Sequence, residues 1–216
     1  MHSTGFTAEF RAMLHALTQG FAIVAPDMKV LFANAAAQEI FRAANGVTLA
    51  DGFLTVLSVA HDQALKAAVA KAIAQESRRP VAFSVARTGQ LPVSVIVGGV
   101  MGSKRKRRLA GIYLSDPAIR PEPDPKLLSD LFAFTRAEAE VARRLMRGDD
   151  TASISRELRI KGHTVRNHLK HMFAKTNAAK QCELVYLLML SPAALRLGTD
   201  GSPAIPAGAP PSERAG

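Results

Sequence analysis

His163-Thr164-Val165-Arg166-Asn167-His168-Leu169-Lys170-His171-Met172-Phe173 decides what the carboxy-terminal part of the chain is. Wound at 3.6 residues per turn, Val165, Leu169, Met172 and Phe173 fall in one apolar stripe, while Arg166, Asn167, Lys170 and Ala174 fall on the opposite side. A helix anchored by such a stripe presents a cationic, hydrogen-bonding face to its surroundings. The DNA major groove admits a helix of this kind and displays a base-specific pattern of donors and acceptors. Arg166 can pair bidentately with guanine O6 and N7, and Asn167 with adenine N7 and N6, each good pair being worth about 1–3 kcal/mol of discrimination. Lys170 can serve a base or a phosphate.

The flanking residues frame this helix with others. Thr135 can cap a helix with its hydroxyl, and Glu138, three residues on, can reach back to the cap's backbone N–H. Val141, Leu145 and Met146 continue that helix's apolar face as far as Gly148, a left-handed stop, after which Asp149-Asp150-Thr151 can cap the next. The next helix carries Ile154 and Leu158 and ends near Arg159, with Ile160-Lys161-Gly162 as the turn into the quoted segment. A last helix from about Lys180 to Leu190 holds Leu184, Val185, Leu187, Leu188, Met189 and Leu190, more apolar surface than one packing face requires, which points to a partner.

Together, Phe134-Thr135-x-x-Glu138-x-Glu140-Val141, Gly148, Ile154-x-x-x-Leu158, His163 to His168 and Glu183-Leu184-Val185 resemble the four-helix LuxR-type helix-turn-helix domain of bacterial transcription regulators. The resemblance implies base-facing positions for Arg166, Asn167 and Lys170, and phosphate-contacting positions for Thr164 and Lys175; His168, toward the apolar side, reads as a packed or phosphate-neighbouring residue. It also implies a dimer contact on the last helix, at Leu184 and Leu188. Two departures stand out. Arg159 and Lys161 are basic where the family usually holds a small residue and a Ser-like cap, so the recognition helix is expected to begin less firmly. Ala152 and Ser153 replace common polar or basic phosphate contacts, with Arg156 and Arg159 close enough to compensate.

The amino-terminal half mixes strands and helices. Phe21 to Ala25, a Pro26-Asp27 turn and Val30 to Ala33 predict a β-hairpin, and Asn34 then caps a helix in which Gln38 completes a capping-box-like start. Leu65, Val69, Ala72 and Ile73 predict a second helix from about Asp62 to Gln75. Val81 to Ala86, Leu91 to Val97 and Leu109 to Leu114 predict three strands, the first two joined by Thr88-Gly89-Gln90. This order, with Phe32-Ala33-Asn34 at the strand-to-helix junction, resembles a PAS sensor domain, which implies an antiparallel sheet around small helices. It also implies a pocket near Phe21, Ile23, Phe32, Phe41, Leu54 and Phe83, although apolar side chains inside a small domain more often simply fill its core.

The fold class expected is therefore α+β, a PAS-like antiparallel sheet with helices followed by an all-α domain. Four prolines between Ser115 and Pro125 mark a stiff linker, and Gly198 onward is too poor in large apolar residues to order itself. The expected division is 1–116 sensor, 117–125 linker, 126–197 DNA-binding domain and 198–216 disordered tail.

A net charge of +10 in 216 residues argues for a polyanionic partner. No apolar run approaches the ~18 residues of a membrane span and no signal peptide is legible, so a cytoplasmic protein with no membrane partner is expected. One cysteine, Cys182, excludes an internal disulfide, and His163, His168 and His171 do not complete a zinc set, so no metal is assigned. Lys104 to Arg108 reads as a solvated hairpin loop or a supplementary DNA contact. Enzymatic use of His2, His15 or His61 lacks a nucleophile elbow, phosphate loop or paired carboxylates, and no catalytic residue or cofactor is assigned.

Receiver-type acidic residues are missing, tryptophans of an acyl-homoserine-lactone pocket are missing, and Cys182 lies outside the domain a flavin adduct would need. His61 as a haem ligand has no supporting residues. The expected function is a transcription regulator that binds double-stranded DNA as a homodimer, under a small-molecule or protein signal at the PAS-like domain. The alternative is a protein-interaction module that uses the apolar last helix.

Overall fold

The computed structural model describes residues 13–74, 79–101, 108–119 and 123–195, which fall into two compact units divided between Ala118 and Ile119. The first unit is ordered by alternation. In strands β1 (Gly20–Val24), β6 (Gln90–Met101) and β7 (Arg108–Ser115), Ala22 and Val24, then Val93, Val95 and Val97, then Ala110, Ile112 and Leu114 all point to one side and are buried. With β2 (Val30–Ala33) and β5 (Val81–Arg87) they make a five-stranded antiparallel sheet in the order β2-β1-β7-β6-β5. Helices α1 (Ala35–Ala43) and α2 (Val59–Ala74) cover the buried face with Ala36, Ile40 and Phe41, and with Leu65, Ala68 and Val69. At Gly99 a Cβ would stand 2.6 Å from the Ala72 carbonyl oxygen, so that helix-to-sheet approach requires glycine.

Asn34 is the polar centre of this unit. Its side chain is fully buried, yet Oδ1 accepts from Phe21 N (2.8 Å) and Ala37 N (3.0 Å), while Nδ2 donates to the Leu14 (2.9 Å) and Gln19 (2.8 Å) carbonyls. One amide thus caps α1, ties it to β1 and holds the chain that enters β1, leaving no buried polar atom of its own unsatisfied.

Antiparallel strands packed by helices on one face fit the PAS resemblance, with several local differences. A second hairpin, β3 (Val47–Ala50) and β4 (Phe53–Val56), stands where no strand was expected. Its turn is Asp51-Gly52, both at positive φ (51° and 83°), a local hairpin signal that was present in the sequence. Helix α2 begins at Val59 rather than near Asp62: Asp62 N donates to the Ser58 carbonyl (2.8 Å) to close the first turn, while the Asp62 carboxylate turns back to accept from Val56 N and Thr55 Oγ1, both at 3.0 Å. Gln38 does not complete a capping box: it donates to the Ala33 carbonyl, and the Asn34 N–H is spent on Phe21. The expected pocket set divides between two sides of the sheet. Phe41 of α1 and Leu54 of β4 are buried on the helix-covered side, whereas Phe21 and Ile23 alternate with the buried residues of β1 and Phe32 of β2 pairs with Ile23, so the three meet on the other face, the Phe21 and Phe32 rings 6.4 Å apart.

The second unit is all-α: α3 (Pro125–Phe132), α4 (Arg136–Met146), α5 (Thr151–Glu157), α6 (Gly162–Thr176), α7 (Gln181–Leu190) and a 3-10 turn at Pro192–Ala194. Helix α3 starts inside the expected linker, since Asp124 caps it through Lys126 N (2.8 Å) and Pro125 suits its first turn. Leu128, Val141, Leu145, Ile154, Val165, Met172, Leu184 and Leu188 form one core. The basic run up to Arg107 and the expected tail lie outside the described residues.

Candidate nucleic-acid interface

The seat for α6 is built first by α4. Thr135 and Glu138 form the reciprocal capping box that the sequence predicts, with Thr135 N donating to Glu138 Oε2 (2.8 Å) and Glu138 N to Thr135 Oγ1 (3.3 Å). The Glu138 carboxylate is 3% exposed and also accepts from Lys175 Nζ at 2.6 Å, while the same ammonium donates to the Ala133 carbonyl at 2.7 Å. His171 Nδ1 lies 3.6 Å from the other carboxylate oxygen. Burial by itself would raise the Glu138 pKa; the bond and charge of Lys175 and the bonds from Thr135 outweigh it and hold the carboxyl below its ordinary value. An ion pair therefore ties the start of α4 to the end of α6.

Helix α4 stops at Gly148, whose φ of +86° is the left-handed conformation expected there. Asp150 caps α5 by accepting from Ser153 N at 2.7 Å, and that hydrogen bond lowers its carboxyl pKa. Arg144 lies within reach of three carboxylates, 3.3 Å from Glu157 and 3.7 Å from Glu140 and Asp149. It holds α4, the connection after it and α5 together.

From α5 the chain enters α6 through a turn with Arg159 at φ +54° and Ser155 bonded to Ile160. Val165, Leu169 and Met172 point into the core and Phe173 packs against it, as the 3.6-residue period requires. On the other side Arg166, Asn167 and Lys170 are exposed, and none has an ion-pair or hydrogen-bond partner among the described residues. Their guanidinium, amide and ammonium groups are free for a ligand, and α6 brings all three to one surface. Thr164 and His168 are half-buried along the edge of that surface.

Three expected placements change. Leu184 and Leu188 are 0% exposed inside their own domain, so they have no surface left for a second chain. The outward apolar residues of α7 are Tyr186, Leu187, Met189 and Leu190. Lys175, expected at a phosphate, directs its ammonium to Glu138 and Ala133, acting first as a tie between helices. Glu138 was legible as a cap, but a partner 37 residues away leaves no local trace. His61 is half-buried with Nδ1 3.0 Å from Ser58 Oγ, and Cys182 is exposed. Among the described residues no cluster of three or more His, Cys, Asp or Glu is placed to hold a metal, and no helix is long and apolar enough to cross a membrane.

Residues 133–188 match the family model of bacterial regulatory proteins, luxR family, a span that takes in α4, α5, α6 and most of α7. A protein of Aeromonas salmonicida named as an HTH-type transcriptional regulator in the exeN 3' region is 40% identical over 56 residues, 26% of this chain and 29% of that protein. The chain thus matches under a third of that relative's length. Among solved structures, the Vibrio cholerae VqmA dimer is similar at 17% identity with a TM-score of 0.38, covering 84% of this chain and 86% of that one. The PAS domain of Bordetella pertussis BvgS is similar at 16% identity with a TM-score of 0.37, covering 59% of this chain and 95% of that one.

Proposed function

We propose that the chain, whose residues 133–188 match the luxR family model, is a cytoplasmic transcription regulator whose α6 lies in the DNA major groove and reads bases through Arg166, Asn167 and Lys170. One observation carries this reading: three exposed, unpartnered polar tips stand on a helix whose opposite side is fixed in the core and whose end is tied by Lys175 to Glu138. Such rigidity is what bidentate base pairing needs, because a donor pair that swings cannot distinguish one base edge from another. Thr164 and His168 at the edge of the surface, together with exposed Arg156, Arg159 and Lys161, supply phosphate contacts. Lys175 contributes to phosphate binding only through charge not already spent on Glu138.

Two copies bind a two-fold related site, with the outward apolar side of α7 as the contact between them. Residues 1–116 act as the sensor for a small molecule or protein, 117–125 as the linker and 126–197 as the reader. The point where β7 hands over to the linker is held by Arg87, whose guanidinium bonds both Asp116 oxygens (2.7 and 2.8 Å) with both side chains almost fully buried. A change in the sensor sheet therefore has a rigid handle on the start of the linker. The chain acts as a regulator, with no catalytic residues assigned.

The competing reading is a protein-interaction module, which the exposed apolar side of α7 favours. A gel shift with the full chain over a salt series separates the two. DNA reading predicts a discrete complex that weakens steeply with salt, and Arg166→Ala should flatten preference at one base position by about 1–3 kcal/mol. An interaction module gives no discrete complex at any salt.

A further inference from the structure

The turn that delivers α6 lacks two features that usually fix a helix start. Lys161 occupies the N-cap position with extended backbone (φ −73°, ψ 149°) but makes no side-chain bond to the first turn. Arg159, a residue with a Cβ, holds the left-handed conformation at φ +54°, which favours glycine. Helix α5 is only seven residues long and has little stability of its own to impose a direction on α6.

Ser155 braces the turn from the other side. Its hydroxyl donates to the Ile160 carbonyl at 2.6 Å, and its own carbonyl accepts from Ile160 N at 3.1 Å. One residue of α5 thus grips both backbone groups of the residue two positions before α6. The hydroxyl bond satisfies a carbonyl in the turn and closes the loop around the left-handed Arg159.

We propose that Ser155 is a positioning residue for base recognition: its bond to Ile160 braces the turn that precedes an uncapped helix start and fixes the roll of α6 about its buried stripe. The inference rests on α6 being the base-reading helix. A small roll about Val165, Leu169 and Met172 leaves those buried side chains nearly in place but swings the long side chains of Arg166 and Lys170 through a wider arc. Bidentate base pairs tolerate little of that swing, whereas phosphate contacts, being less directional, tolerate more. Loss of the hydroxyl therefore lowers discrimination more than general affinity for DNA.

The test uses the full-length chain to select duplexes from a random-sequence pool. Kd is then measured for the best selected duplex and for a scrambled duplex of the same composition at one salt concentration. Wild type is compared with Ser155→Ala, Ser155→Thr and the double variant Ser155→Ala/Lys161→Ser, each with a thermal melt. Ser155→Ala should bind the selected duplex about tenfold more weakly, the scale of one mismatched base pair, with less than about a twofold change on the scrambled duplex. Ser155→Thr, which keeps the hydroxyl donor, should retain wild-type discrimination, and a serine cap at position 161, which serves first-turn N–H groups and not the Ile160 carbonyl, should regain only part of what Ser155→Ala loses. An unchanged ratio in Ser155→Ala overturns the proposal, as does a proportional weakening on both duplexes that tracks the fall in Tm. If wild type itself selects no sequence, base reading by α6 fails and this proposal with it. Selection by wild type with an unaltered ratio in Ser155→Ala removes the positioning role alone.

Discussion

Replacing Glu138 by Gln isolates the ionic part of the contact between α4 and α6. Gln keeps an acceptor for Thr135 N and nearly the same volume, so the capping box survives while the charge facing Lys175 is removed. A hydrogen bond to a charged group nets about 1.5–3 kcal/mol, but the Lys175 side chain is 32% exposed, so water recovers part of the loss. The expected cost is about 1–2 kcal/mol, which for a domain of this size lowers Tm by about 6–12 °C. Because the folded-state pKa of Glu138 lies below its ordinary value of 4.5, its contribution is fully present above that value. The contribution disappears as pH falls through the lowered pKa, where the folded carboxylate takes up its proton. Urea denaturation of the full chain monitored by far-UV circular dichroism, repeated from pH 7 downward, reads the wild-type minus variant difference directly. Thr135→Ala is the control, since loss of its cap hydroxyl should cost about 1 kcal/mol. A Glu138→Gln difference within about 0.3 kcal/mol at pH 7, or one that stays constant to about pH 3, would refute the reasoning.

Two other expectations rest on burial. Asn34→Ala removes a buried side chain that satisfies two backbone N–H groups and two carbonyls, and should destabilise the amino-terminal unit by about 3–5 kcal/mol in chemical denaturation; a cost under about 1 kcal/mol would mean that water replaces the amide there. On α7, Tyr186 and Leu190 are 64% and 67% exposed, so changing both to Lys should convert a dimer to a monomer in sedimentation equilibrium while leaving the far-UV circular dichroism of the folded chain unaltered. A dimer that persists in that variant would move the contact elsewhere.

Residue order is enough to read the features that near neighbours govern. The apolar and polar sides of α6, the capping box at Thr135 and Glu138, the left-handed stop at Gly148 and the cap at Asn34 all depend on spacings of one to four residues, where helix period and cap chemistry act. Tertiary structure alone decided which side of an element faces what. Helix α7 is apolar nearly all round, so its period contains no preferred direction, and only packing against α4 and α6 sends Leu184 and Leu188 inward and leaves Tyr186, Leu187 and Leu190 outside. Alternation in β1 separates Phe21 and Ile23 from Ala22 and Val24, but the helices' choice of sheet face puts the larger pair on the side away from the core. Lys175 reads as one more surface cation until folding brings Glu138 beside it, because a charge finds its partner through space and not along the chain.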